Sequence, residues 1–493
     1  MGPSDPRADD RLSTGIPGLD DILLGGLPRR RVYLLQGDPG AGKTTLCIQL
    51  LLAGARRGER GLYVSLSETR EELEAAAASH GWSLDALSIL EVSTDLAQDD
   101  TETTLYQPSE VELGERVRAL LEQIDRIRPA RIVLDSCSEL RLLAESPLRY
   151  RRQILALKRR LMALDCTIVL IDNPHPGSPD MLLQSLVHGV ISMEQLIPPY
   201  GTERRRLEIL KLRGVKYRGG MHDYVIRTGG LQVFPRLVAA EHHSSFEAGP
   251  VPSGVAELDT LLGGGPERGS SILLLGPAGC GKSALATQYA LAAAARGERA
   301  AMFSFDESAH MFTGRAASLG MRVGPHLAAG RITLQQVDPA ELPPGEFAHI
   351  VRRAVEEDGA RVVAIDSLNG YLNAMPEERF LTLQMHELLA YLAQQGVLSV
   401  LTVAQHGLVS EGEAPIDVSY LADSVLLFRY FEVAGAVRKA LSVVKKRSGR
   451  HEATVRELQL ADDGVRVGPV LSEFQGVLTG RPELAAPHGR TER

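Results

Sequence analysis

The sequence has no apolar run approaching the ~18 residues that a membrane-spanning helix needs, so a helical span is not expected. It is also short of cysteine. The four present, Cys47, Cys137, Cys166 and Cys280, show no metal-ligand spacing, which removes a structural zinc site and makes a reducing cytoplasm the expected setting. Positive charge is not in excess either. Lys and Arg number 54 against 62 Asp and Glu, and the net charge of −8 disfavours broad attraction to nucleic acid or acidic lipid. The first residues, MGPSDPRADD, are polar and acidic and do not read as a signal peptide. With 44% hydrophobic and 24% charged residues, the remainder is the composition of a soluble globular protein.

What the chain does have, it has twice. GDPGAGKTT opens at Gly37 and GPAGCGKSA opens at Gly276, 239 residues later. Each run follows an apolar stretch, RVYLLQ before the first and SILLL before the second, which is the strand, loop and helix setting of a phosphate loop. The glycines, Gly37, Gly40 and Gly42 and then Gly276, Gly279 and Gly281, let successive backbone N–H groups face an anion at a helix N-terminus. Asp38, Ala41 and Thr45, and Cys280 and Ala284, complete the two cradles. Lys43 and Lys282 are placed to reach β- and γ-phosphates, and Thr44 and Ser283 to offer a hydroxyl to Mg²⁺. ATP and Mg²⁺ are thus the expected ligands. Cys47 and Cys280 lie at the loops, where small packing residues are the simpler reading than redox groups.

The repeat extends well past the loops. STGIPGLDDILLGGLPRR from Ser13 matches PSGVAELDTLLGGGPERG from Pro252, and Glu68 matches Glu307. Strands and helices alternate in both halves, so the fold class expected is α/β: two tandem RecA-like P-loop NTPase domains, each a mostly parallel sheet flanked by helices. The boundaries expected are a disordered 1–12, an N-terminal domain over 13–240, a linker over 241–251, a C-terminal domain over 252–482 and a disordered 483–493. His242 and His243 in the linker carry no accompanying ligand spacing, so a solvated linker is the reading there rather than a metal site.

RIVLDS and RVVAIDS each end an apolar strand in a carboxylate, placing Asp135 and Asp366 at the sheet mouth where they can hold the metal's shell. A residue that orients or deprotonates the attacking oxygen is also needed. FSFDES supplies Asp306 and Glu307, whereas VSLSET supplies Glu68 alone, with Ser67 at the position of Asp306. If the first carboxylate of the pair is the base, the N-terminal half is impaired; if the second is, both halves work.

The tandem halves, LDDILLGGLP, both phosphate loops, RRRLEILKLRG and the late FQGVLTGRP together resemble the KaiC family of RecA-like ATPases, over roughly residues 12 to 482. That resemblance implies a double-ring hexamer with ATP between subunits, slow ATPase chemistry in the N-terminal ring and serine/threonine autokinase chemistry in the C-terminal ring. By the same resemblance Lys211 and Arg213, and Lys445 and Arg447, reach a neighbouring subunit's nucleotide, which gives basic strands a role in an acidic protein. Ser67 departs from the family's paired acidic residues. The phosphorylated pair falls on Ser419 and Tyr420, so Ser419 is the candidate phosphosite. The function expected is an ATP-hydrolysing ring that acts in signalling or timing, with possible regulatory protein partners. The alternatives are a DNA-directed RecA-like motor, which the net charge disfavours, and an ATP-stabilised non-catalytic hub.

Overall fold

The structure, a computed structural model, describes residues 10–92, 121–143, 147–173, 181–198, 201–373, 381–405, 419–479 and 483–484. The chain divides into two compact units, Met1–Arg236 and Leu237–Arg493. Of the termini expected to be disordered, 1–9 and 485–493 lie outside the described residues. Arg11–Leu12 forms a short strand against Leu27–Pro28, anchored by the fully buried Leu12, and Glu483–Leu484 pairs with Phe474–Gln475.

In the first unit one sheet of nine strands runs in the order Gly230–Phe234, His222–Arg227, Arg204–Leu212, Gly189–Leu196, Val32–Gly37, Thr167–Asp172, Arg131–Asp135, Gly61–Ser65, Leu87–Glu91. The six strands from Gly189–Leu196 to Leu87–Glu91 are parallel, and the three on the other side are antiparallel. The second unit repeats this. Its order is Ile332–Gln336, Arg299–Ser304, Ala360–Asp366, Leu398–Ala404, Ser271–Gly276, Ser424–Val433, Ala436–Lys446, Val455–Ala461, Gly464–Val470, with the first six parallel. The expected fold class, two tandem RecA-like α/β domains, is what the chain adopts.

Continuous apolar strands follow from burial on both faces. Tyr33, Leu35, Tyr63, Val133, Val169 and Ile171 pack on one face of the first sheet. Val32, Leu34, Leu62, Val64, Ile132, Leu134, Ile168 and Leu170 pack on the other, so the period of two is kept although every position is apolar. The phosphate-loop strand is therefore central in each unit, and the strand carrying Asp135 or Asp366 lies one strand away from it. A single intervening strand leaves a crevice at the carboxyl ends, where ligands bind in open α/β sheets.

The stretch expected to link the domains belongs to the second unit. The Ala239 amide donates to Glu387, the Ser244 amide to the Gln394 carbonyl, and Phe246 packs over Gly269 and Gly396. His242 stands edge-on to Tyr391, with ring centroids 5.2 Å apart.

Candidate functional site

Helices Lys43–Ala55 and Lys282–Ala295 are each preceded by a glycine N-cap, because the turn into each needs a left-handed residue. Gly42 has φ 90° and Gly281 has φ 109°. A Cβ on Gly42 would also lie 2.4 Å from the Ile226 side-chain methyl, which would have to move aside. Lys43 and Lys282 start the helices and are nearly buried. Lys43 Nζ donates to the carbonyls of Gly37 and Asp38 at 2.7 and 2.8 Å, and Lys282 Nζ to those of Gly276 and Pro277 at 2.9 and 2.7 Å. Burial lowers the Lys43 pKa from its ordinary value, with Asp135 and Asp38 opposing. Each ammonium thus lies along its own loop, facing the space the loop encloses.

The rest of each loop is held from outside. Ala41 accepts the Tyr224 hydroxyl at 2.6 Å, Asp38 accepts the Gln195 amide, and Thr45 contacts His80. In the second loop Cys280 and Ala284 are buried, and Tyr430 donates to the Ala278 carbonyl at 3.0 Å. All four cysteines are buried and none is in a disulfide, and burial raises the Cys280 thiol pKa, against the pull of Lys282. For Cys47 and Cys280 this suits the reading as packing residues.

The strand-end aspartates stand beside the loop hydroxyls. Thr44 Oγ1 lies 3.3 Å from Asp135 Oδ2, and Ser283 and Asp366 line one cavity. Asp135 is buried, which raises its pKa, while donors from Tyr63 and Thr44 and the charge of Lys43 counteract this. Asp366 instead accepts from Thr402. A hydroxyl beside one carboxylate is a donor set that suits Mg²⁺, which keeps water and binds nucleotide phosphates rather than an all-protein cage. Among the described residues no group of three or more His, Cys, Asp or Glu converges to hold a metal by itself.

The candidate bases sit on equivalent turns. Ser65 Oγ bridges the Glu68 amide and carbonyl, and Ser304 Oγ does the same for Glu307. Leu66 and Phe305 donate their amides to the Asp135 and Asp366 carbonyls, so each turn is tied to the metal-site strand. Beyond that the halves part. Glu68 is half-buried and its pKa is raised, first by burial and then by Asp135 and Glu72. Glu307 is instead held by Arg315, with Nε at 3.1 and 3.2 Å and Nη2 at 2.9 Å. Asp306 is exposed and accepts the Ser367 hydroxyl at 2.5 Å; in the first half Ser67 replaces it, and Ser136 bonds Ser138 at 2.6 Å.

In the second unit these groups converge on one cavity of 440 Å³, lined among others by Gly279, Lys282, Ser283, Asp306, Glu307 and Asp366. That volume is in the range of about 300–1,000 Å³ usual for small-molecule sites. The late basic residues make their contacts elsewhere. Lys211 donates to the Gln184 carbonyl and Arg213 to that of Ser185; Lys445 donates to Ala422 and Arg447 to Tyr420 and Asp423. Neither Lys445 nor Arg447 lines the cavity. Ser419 opens the short 3-10 turn Ser419–Leu421, and its side chain lies outside the described residues, while Tyr420 is exposed.

Sequence reasoning passed over Tyr63, Thr402 and Arg315. The repeat carried a signal for two of them: Tyr63 stands opposite Met302, and Arg315 opposite Ala76, at the 239-residue offset.

Known proteins match the chain over both halves. A family described as an ATPase, KaiC, matches residues 12–238 and again 251–472. The circadian clock oscillator protein KaiC of Prochlorococcus marinus (strain MIT 9313) is 28% identical over 96% of this chain and 95% of its own length. That of Synechococcus elongatus is 27% identical over 97% and 93%. The circadian clock protein KaiC3 of Synechocystis sp. is 26% identical over 97% and 95%.

Proposed function

The chain belongs to the KaiC family of ATPases, and from that premise we propose that it binds and hydrolyses Mg²⁺·ATP at both phosphate loops, as a cytoplasmic hexameric ring with autokinase activity in its C-terminal unit. The observation that carries this reading is the duplicated constellation of lysine, hydroxyl, strand-end aspartate and glutamate at one sheet edge.

The loop amides of Gly40 to Thr45 and of Gly279 to Ala284 cradle the phosphates, and Lys43 and Lys282 leave the loop carbonyls to pair with β- and γ-oxygens. Thr44 with Asp135, and Ser283 with Asp366, would hold Mg²⁺. When bound, that ion neutralises charge that develops on the phosphates. Glu68 accepts a proton from water as the water oxygen attacks the γ-phosphorus and the bond to the bridging oxygen breaks, releasing ADP. In the second unit Asp306 and Glu307 share that task, and the acceptor is the Ser419 hydroxyl. Lys211, Arg213, Lys445 and Arg447 exchange their carbonyl partners for phosphate oxygens across the ring interface. The relatives are circadian clock proteins, and by the same reading the ring acts in timing or signalling, read by partner proteins.

The test is the native mass of the assembly with and without ATP, together with ATP turnover and phosphopeptide mapping, for the parent, Lys43→Ala and Lys282→Ala. We expect a sixfold assembly with ATP, turnover reduced by either substitution, and a Ser419 phosphopeptide lost in Lys282→Ala. A monomer that binds no ATP would overturn the reading; a ring with turnover but no phosphopeptide would remove its kinase part.

A further inference from the structure

Arg315 lies on the helix Ala309–Ser318, which follows the turn bearing Asp306 and Glu307. Its side chain is three-quarters buried, and the guanidinium stands over the Phe312 ring, 5.2 Å from the centroid. Nε and Nη2 grip both oxygens of Glu307. Nη1 is buried and has no hydrogen-bond partner, and Arg315 lines the same cavity as Lys282, Ser283 and Asp366. The corresponding position of the first unit is Ala76.

An arginine carries five N–H donors in a rigid fork, and Glu307 uses one edge of it. The donors on Nη1 have lost water without gaining an acceptor, an unfavourable state unless an anion completes it. Arg315 lines the cavity that the phosphate loop opens into, and a triphosphate would bring its most charged group there. A terminal phosphate competes for the fork better than a carboxylate does, because it offers three oxygens and more charge.

We propose that Arg315 is a triphosphate-sensing residue of the second site: it holds Glu307 in an ion pair and turns to the terminal phosphate oxygens of a bound nucleoside triphosphate, leaving the Glu307 carboxylate free to take part in phosphoryl transfer. A diphosphate lacks the group that competes, so with ADP the pair stays closed. The first site has no such device, and its Glu68 is free of it at all times. This inference rests on the reading of the cavity as a nucleotide site.

The test uses the full chain with Lys43→Ala, so that fluorescent ATP and ADP analogues report the second site. Arg315→Ala is expected to weaken ATP binding about tenfold while ADP binding stays within about twofold. Glu307→Gln, which releases the guanidinium, is expected to tighten ATP binding severalfold, and only while Arg315 is present. Arg315→Lys, which keeps the charge and packing length but not the fork, is expected to fall between, and serves if the alanine variant does not fold. An unchanged ATP-to-ADP ratio in both Arg315 variants overturns the inference while leaving the nucleotide site intact. So does a Glu307→Gln effect that persists without Arg315. Absence of binding even in the Lys43→Ala parent would overturn the nucleotide reading and this inference together.

Discussion

Tyr63 donates its hydroxyl to Asp135 Oδ2 at 2.5 Å, across the face of two neighbouring parallel strands. Both groups are buried, and the phenol keeps its proton because burial and the carboxylate raise its pKa far above the ordinary value. The second unit reaches the same end differently, with Met302 at the tyrosine position and Thr402 donating to Asp366 from the next strand.

Tyr63→Phe keeps the ring in its place in the core and removes one donor from Asp135, leaving Thr44 as its remaining hydrogen-bond donor. Loss of one net hydrogen bond to a buried carboxylate corresponds to about 1–3 kcal/mol. In a Lys282→Ala background, where the first site alone turns over, the Mg²⁺ concentration for half-maximal ATPase should change severalfold. The matching Met302→Leu change in a Lys43→Ala background should leave it unmoved. Equal Mg²⁺ curves for Tyr63→Phe and its parent would separate Asp135 from the metal.

Glu68 gives a pH dependence whose sign is fixed by its environment. Burial raises its pKa in the folded state above the ordinary 4.5, so the folded chain holds this proton more tightly than the unfolded one. The associated stability is fully present below the unfolded pKa and is lost as pH rises through the folded pKa. Glu68→Gln should therefore make the first unit more resistant to urea than the parent at pH 8, with the difference vanishing near pH 4. Trp82, the chain's single tryptophan, lies in that unit and reports its unfolding. Turnover has the opposite requirement: a base acts ionised, so first-site ATPase should climb with pH through the same raised pKa, and Glu68→Gln should abolish it. A residue whose charge destabilises the fold yet supports the reaction fits a functional position.

The parts legible in the sequence are those encoded locally. Each phosphate loop, with its lysine and hydroxyl, is written in nine consecutive residues, and Asp135 and Asp366 are each marked by one apolar strand, so the repeat was enough to find them. The α/β class followed in the same way from alternating elements. Sheet order did not, because parallel neighbours such as Arg131–Asp135 and Gly61–Ser65 are about seventy residues apart and either face of an all-apolar strand reads alike. The Tyr63–Asp135 and Thr402–Asp366 bonds depend on that order. The Arg315–Glu307 pair was hidden for another reason: it spans a turn and a helix, eight residues that follow no helical or strand period.

Arg131 is 1% exposed and forms a buried ion pair in the first unit. It donates to Glu59 at 2.6 Å and to the carbonyls of Ser13 and Leu50 at 2.9 and 2.8 Å. Gly54 leaves the room for it, since a Cβ there would lie 2.5 Å from Arg131 Nε. Arg131→Met should destabilise the first unit by about 3 kcal/mol, near the lower end for a broken buried pair because Glu59 keeps Arg29. Gly54→Ala should also destabilise it. The double variant should lose less than the sum, as the alanine methyl occupies space that the guanidinium vacates. Urea midpoints read from Trp82 check this, and strict additivity would count against the shared space.

His222 is buried on the strand His222–Arg227, with both ring nitrogens engaged: Nδ1 accepts the Arg236 amide at 2.9 Å, and Nε2 donates to the Arg218 carbonyl at 3.2 Å. That arrangement requires the neutral ring. Burial, with Arg236 and Arg218 nearby, lowers its pKa from 6.5 to about 4. The sign is opposite to that of Glu68. Stability from the neutral ring is fully present above the unfolded pKa and is lost as pH falls through the folded one, because the unfolded chain takes up the proton first. Between pH 6.5 and 4 the first unit should lose about 3 kcal/mol through this group alone. His222→Gln offers a neutral side chain that cannot take up the proton and should flatten that part of the profile, although its different shape lowers stability at pH 7. A Trp82-detected urea series at pH 7.5, 5.5 and 4.5 for both proteins makes the comparison. Parallel profiles for the two would mean that the ring is not held neutral, and the tautomer assigned by its two partners would be wrong.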